Sequence, residues 1–268
     1  MVRSGTTRLY RISAPSMIYG FDLEKNIRRL AGHLDHIEIV LFQTPDRHNI
    51  PEEKEMNRLE TIQHQTGVTY SVHLPSAYEI ASEDKSVREV SPNRVIRLVR
   101  YFQRLTPTGF ILHIPMTPPT LVPEPGCYIH HTALPEYREW SGRAFEGLTI
   151  IQNETGLERQ LLIENINYSP RFLEPFMQKK LGALCLDIGH LLLGGEPVRP
   201  QLERYAEVID EIHLHGVKGW EEHLALEVLP RRRVRKWVGR LEANGFNGVL
   251  NLEVFSPADL FSSLDMLN

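Results

Sequence analysis

Ala183-Leu-Cys-Leu-Asp-Ile-Gly-His-Leu-Leu-Leu193 decides how this chain is read. Ala183–Asp187 is an apolar run of strand length that ends on a carboxylate, and the residues after it take helical spacing at once. A strand apolar on both faces is covered on both, as in a parallel sheet clothed by helices. Its terminal Asp187 therefore points out of the open end. Asp187-Ile-Gly-His190 carries an imidazole one short turn farther, where both side chains reach one centre.

The pattern repeats on either side. Strands are predicted over Leu9–Ala14, His36–Phe42, Val68–Leu74, Phe110–Ile114, Leu161–Glu164, Val208–His215 and Val249–Val254. Helical stretches lie between them. Asp22 leads into Leu23–Leu30, and Pro51-Glu52-Glu53 opens a run to Gln65 before Gly67. Ser91-Pro92 and Pro230 place proline at the first helical position of Val95–Leu105 and Arg231–Asn244, the latter stopped by Gly245. Ser256-Pro257 opens the last helix. Eight strands alternating with helices predict the α/β class and closure into a single (β/α)8 TIM barrel, one domain over residues 1–268. The irregular stretch 114–131, carrying Pro115, Pro118, Pro119, Pro123, Pro125 and Gly126, reads as a long loop after the fourth strand that overhangs the barrel mouth.

Composition narrows the function. The length, 268 residues, suits one α/β barrel of about 250 residues. A net charge of −4 without a basic stripe speaks against nucleic acid as a partner. Arg231-Arg232-Arg233 with Arg235 and Lys236 reads as a solvated helix face, opposite or lateral to the mouth. Two cysteines, Cys127 and Cys185, make no disulfide framework, so a reducing, cytoplasmic setting is expected. No run approaches the ~18 apolar residues of a membrane span, and Met1 to Ser13 lacks a signal-peptide core, so no membrane partner is expected. There is no G-x-S-x-G elbow and no phosphate-cradling glycine motif around Gly194-Gly195.

Twelve histidines are many for this length, and their positions are ordered. His73, His113, Glu164, Asp187, His213, His215 and Glu253 all end predicted strands. Period-2 alternation places Ser71 with His73, Ile111 with His113, Cys185 with Asp187 and Asn251 with Glu253 on shared faces. Reactions in such barrels occur at this end. Imidazoles mixed with carboxylates suit divalent ions such as Zn2+, Mn2+ or Fe2+, and without a cation so many buried ionisable groups would be expensive. Glu38, mid-strand in Ile37-Glu-Ile-Val-Leu-Phe42, is either a partner that orients a ligand or a buried structural carboxylate. His215 is either a general acid or phosphate contact or a support for other groups. His33, His36, His48 and His64 read as core or surface filler, and His130-His131 as a solvated helix start.

Val72-His-Leu-Pro75, Ile163-Glu-Asn165, Leu186-Asp-Ile-Gly-His190, His213-Leu-His-Gly216 and Leu252-Glu-Val254 resemble the xylose-isomerase-like barrel superfamily. That superfamily includes sugar-phosphate epimerases and endonuclease IV-type phosphodiesterases. Ile37–Phe42, Cys185–Leu193, Ile212–Val217, His223-Leu-Ala-Leu226 and Gly248–Ser256 look like its cobamide-remodelling phosphodiesterases. The resemblance runs from about residue 12 to the C-terminus. It implies hydrolysis of the phosphoester joining phosphate to ribose in the nucleotide loop of cobalamin-like corrinoids, giving a corrinoid phosphate and the lower-base riboside. It further implies divalent metal ions, two in number, held by His73, His113, Glu164, Asp187, His190, His213, His223 and Glu253. Glu164, Glu253 and His215 would be catalytic, and Asn165 and His215 would contact substrate. The endonuclease-type Asp-x-His pair is altered here to Glu221-Glu222-His223. The competing readings are a one-metal sugar isomerase or epimerase, an endonuclease acting on abasic DNA, and a non-catalytic corrinoid-binding protein. The last is disfavoured because Asp187-Ile-Gly-His190 lacks the D-x-H-x-x-G spacing of corrinoid carriers.

Overall fold

The computed structural model describes residues 8–116, 135–166 and 168–267. Parallel strands β1 (Arg11–Ser13), β2 (His36–Val40), β3 (Thr69–His73), β4 (Phe110–His113), β5 (Leu161–Glu164), β6 (Ala183–Asp187), β7 (Ile209–Leu214) and β10 (Val249–Leu252) form one sheet in the order β1-β10-β7-β6-β5-β4-β3-β2. A parallel bridge between Pro15 and Glu38 closes it, with Ser16 N–H donating to Glu38 O at 2.8 Å and Glu38 N–H to Ala14 O at 3.1 Å. The helices α1 (Leu23–Leu30), α2 (Glu53–Thr66), α3 (Lys85–Phe102), α4 (Pro135–Thr155), α5 (Glu174–Gln178), α6 (Ile188–Leu193), α7 (Val198–Arg204), α8 (Arg231–Ala243) and α9 (Pro257–Leu267) fill the connections. This is the predicted barrel, nearly closed. None of these helices is long and apolar enough to cross a membrane.

Alternation along the strands sorts the side chains into two cores. Ile37, Ile39, Tyr70, Val72, Phe110, Leu112, Leu184 and Leu186 belong to the large apolar layer that the helices cover. The intervening residues turn inward, and there the barrel is divided. Under β4, β5 and β6 lies a small separate apolar cluster of Ile111, Leu162, Ala183 and Cys185. Under β1, β2, β3, β7 and β10 lie Ser13, Glu38, Ser71, Glu211 and Asn251, all fully buried. Register pairs Ser13 with Asn251 and Glu38 with Ser71, and the Ser71 hydroxyl donates to Glu211 Oε1 at 3.0 Å.

Several boundaries differ from the sequence expectation. The third helix starts well before Ser91-Pro92, because Asp84 caps it by accepting the Ser86 N–H at 2.8 Å, and Pro92 lies inside the helix. Interior proline costs ~3 kcal/mol. Burial of Val95, Ile96, Leu98, Val99 and Phe102 on the same helix outweighs it. Pro230 is the residue before α8 rather than its first position. An antiparallel hairpin, β8 (Gly216–Lys218) with β9 (Glu221–Leu224), follows β7; its short polar strands carry no apolar alternation, and Gly219 turns it at φ +63°. Arg231, Arg232, Arg233, Arg235 and Lys236 are exposed on α8 as expected. They open a helix that follows a strand, which places them toward the mouth end and not opposite it. Of the stretch 114–131, only residues 114–116 are described, so Pro118, Pro119, Pro123, Pro125 and Gly126, together with Cys127 and His130-His131, lie outside the described residues.

Candidate metal centre

Glu164, the last residue of β5, is the hub. Its Oε2 lies 3.0 Å from His113 Nε2 and 3.3 Å from His73 Nε2, histidines that end β4 and β3. Its Oε1 faces the other way, 3.5 Å from His213 Nδ1 and 3.5 Å from His190 Nδ1. Beyond it, His213 Nδ1 lies 3.3 Å from Glu253 Oε2 and 3.9 Å from Asp187 Oδ2. One carboxylate thus stands between two groups of donors. His73, His113 and Glu164 form one group, and Glu164, Asp187, His213 and Glu253 the other, each with a donor atom from every member within 4.8 Å of the rest. Asp187 with His190 and His215, and His215 with His223 and Glu253, meet the same criterion.

The second nitrogen of each ring reveals what the first is aimed at. His73 Nδ1 lies 3.0 Å from Leu74 O, His190 Nδ1 2.9 Å from Asn165 O, and His223 Nδ1 3.2 Å from Glu253 O. Donating Nδ1–H to a main-chain carbonyl leaves the lone pair on Nε2, which faces Glu164 in His73 and Glu222 in His190 and His223, the tautomer of metal-binding imidazoles. His215 is built differently. Its Nδ1 accepts the His223 backbone N–H at 2.9 Å, a shorter contact than the 3.2 Å to Gly216 O. A backbone N–H can only donate, so the neutral ring carries its proton on Nε2, 3.4 Å from Asp187 Oδ2. The His223 backbone that supplies this N–H is held at φ +56°, a conformation L-residues seldom adopt.

The electrostatics demand positive charge. Burial opposes ionisation of Glu164, yet His213 and His113 hold its carboxyl well below the usual range. Burial likewise opposes the charge on Glu253, and His213 overcomes it. Against burial, Glu164 and Glu38 lift His73 to about 9. His213 is driven up despite burial; the Cys185 thiol beside it is pushed well up by its own burial and stays neutral, so Glu38, Glu164 and Glu253 do the lifting. Burial and the neighbouring Glu38 push Glu211 to about 8. Either protons on histidine or bound cations supply the positive charge. Asp187 Oδ2, His213 Nδ1 and Glu253 Oε2 are fully buried without a hydrogen-bond partner among the described residues. Carboxylate and imidazole donors left unsatisfied at one point fit divalent cations well.

All of the metal residues expected from sequence therefore lie at one end of the barrel, linked by these contacts. Asn165 is 1% exposed and its amide is used at both ends, Oδ1 accepting Asp187 N–H at 2.8 Å and Nδ2 donating to Asp187 O at 3.0 Å. In this arrangement it clasps β5 to β6 and sets Asp187. The altered acidic position resolves onto Glu222, whose carboxylate spans His190 Nε2 and His223 Nε2 at 3.7 Å each. Sequence spacing could not choose between Glu221 and Glu222, because the hairpin turn decides which one faces inward. Cys185 joins Glu164 and His213 within donor distance, as its alternation with Asp187 suggested. His36 is buried at the far end of β2, 2.7 Å from Thr69 Oγ1, and burial lowers it to about 3, in keeping with core filler.

Among curated proteins, no sequence matches the chain. Solved structures with the same fold include a D-tagatose 3-epimerase-like protein, 18% identical with a TM-score of 0.75 over 96% of this chain and 95% of that one. Endonuclease IV from Thermus thermophilus is 16% identical with a TM-score of 0.70 over 96% and 97%. A 3-keto-D-glucoside 4-epimerase from E. coli is 10% identical with a TM-score of 0.68 over the same shares. The sequence profile of the xylose isomerase-like TIM barrel family matches residues 28–268, nearly the whole barrel, and the chain belongs to that family.

Proposed function

We propose that the protein is a metal-dependent phosphodiesterase that cleaves the phosphoester between phosphate and ribose in the nucleotide loop of cobamides, releasing corrinoid phosphate and the lower-base riboside. The observation that carries the hydrolase reading is the divided carboxylate of Glu164, with Oε2 toward His73 and His113 and Oε1 toward His213. Exchange of a carbon-bound proton in a sugar needs one metal and leaves His73 and His113 without a role. The cobamide assignment rests on the sequence strings at residues 37–42, 185–193, 212–217 and 248–256.

His73, His113 and Glu164 would hold one ion, and Glu164, Asp187, His213 and Glu253 the other. Such a pair, when bound, supplies Lewis acidity toward the phosphoryl oxygens and a lowered pKa for coordinated water. The chain contributes the rest. Glu164 and Glu253 keep their negative charge at the mouth, and Asn165 locks the Asp187 backbone. His215 holds a proton on Nε2 beside Asp187, and in this reading that proton would go to the leaving ribose oxygen.

The test is incubation of protein loaded separately with Zn2+, Mn2+ or Fe2+ with cobalamin, followed by mass spectrometry. Release of the lower-base riboside with a corrinoid phosphate is expected. No release under any loading, with epimerisation of a ketohexose in parallel samples, would replace this reading by the one-metal alternative.

A further inference from the structure

We propose that Glu38 is a positioning residue of the metal centre, holding the His213 ring so that Nδ1 faces Glu164 and Glu253. The proposal rests on the reading that this cluster binds divalent ions. Both side chains are fully buried, and His213 Nε2 lies 2.8 Å from Glu38 Oε2. The approach is oblique, so the pull is that of a charge pair rather than of an aligned hydrogen bond. His73, His190 and His223 place their second nitrogen against main-chain carbonyls; His213 has a carboxylate in that place, at a shorter distance than any of the three.

A purely structural role fits poorly. Neither Glu38 side-chain oxygen accepts a hydrogen bond from any described residue. The Ser71 hydroxyl opposite it in register is spent on Glu211. What Glu38 contributes to barrel closure comes from its backbone, through Ser16 and Ala14, and no side-chain substitution removes those bonds. An anion buried beside imidazoles without an aligned hydrogen bond adds little to folding, whereas a carboxylate behind a metal-binding imidazole fixes its tautomer and raises its basicity. The ring bridges two layers: Nε2 sits among the polar interior residues and Nδ1 among the mouth carboxylates.

The experiment compares Zn2+ and Mn2+ affinity, by chelator competition, for wild type, Glu38→Gln, Glu38→Met and Glu211→Gln, alongside the melting temperature of each metal-free protein. Loss of the orienting carboxylate should weaken metal binding about 10- to 100-fold in both Glu38 variants. Their metal-free melting temperatures should hold or rise, and Glu211→Gln, from the same layer but against Ser71, should stay near wild-type affinity. Wild-type affinity in both Glu38 variants, or a lowered metal-free melting temperature with unchanged affinity, would overturn the positioning role alone. A wild-type protein that binds neither ion would overturn the metal reading beneath it and the proposal together.

Discussion

Gly189→Ala sets two effects of opposite sign against each other. Gly189 is the second residue of α6, and alanine is favoured over glycine in a helix by about 1 kcal/mol. A Cβ built there would stand 2.0 Å from His215 Cε1 and 2.2 Å from Nε2. Ordinary carbon contacts begin near 3.5 Å, so the ring must retreat by about 1.5 Å. It has little room, since it is fully buried and the His223 ring lies behind it at 4.4 Å between centroids. Overpacking of this kind costs about 1–3 kcal/mol, which overrides the propensity gain. At about 2–4 °C per kcal/mol for a domain of this class, the melting temperature should fall by several degrees. Displacing a proton-holding ring by about 1 Å should also cost about 100-fold in turnover of cobalamin. Differential scanning calorimetry and riboside release measure the two. A variant that melts higher than wild type and turns over at the same rate would show that the close approach of His215 to α6 is dispensable.

Glu164→Gln should keep the fold by circular dichroism and lose bound metal from both groups, read by elemental analysis; full metal content with full turnover would remove the bridging role. Asn165→Ala strips the Asp187 backbone of two buried partners, at 2.8 and 3.0 Å, and should cost about 2–5 kcal/mol in urea denaturation, with a change under 1 kcal/mol refuting the clasp. The metal-free protein should lose stability as pH rises. His73 is lifted from 6.5 to about 9, so its contribution is fully present below 6.5 and disappears as pH climbs through 9. The lowered Glu164 and Glu253 act oppositely, losing their contribution as pH falls below 4.5. The metal-loaded protein should strengthen with pH instead, because its imidazoles must bind deprotonated. A metal-free melting temperature flat from pH 6.5 to 9.5 would contradict the charge balance described above.

Legibility in the sequence followed the range of the interactions. The strands Leu161–Glu164 and Ala183–Asp187 and the helix Leu23–Leu30 match the structure at both ends, because apolar runs and an Asp22 cap are local signals. That His73, His113, Glu164, Asp187, His213 and Glu253 share one end of the barrel also follows from sequence, since parallel strands all end on the same side. The start of α3 was hidden because a capping aspartate, seven residues before a Ser-Pro pair, competes with a signal of the same kind. Only the tertiary structure decided which groups oppose one another. Glu38 and His213 stand 175 positions apart in sequence and meet because barrel closure brings β2 and β7 to facing walls. Glu222 rather than Glu221 reaches His190 because a left-handed glycine turns the hairpin, and the Nε2 proton of His215 is set by one backbone N–H from His223. Local pattern determines which residue types stand at the mouth; nitrogen choice, carboxylate pairing and the sharing of Glu164 depend on contacts between distant strands, which no periodicity records.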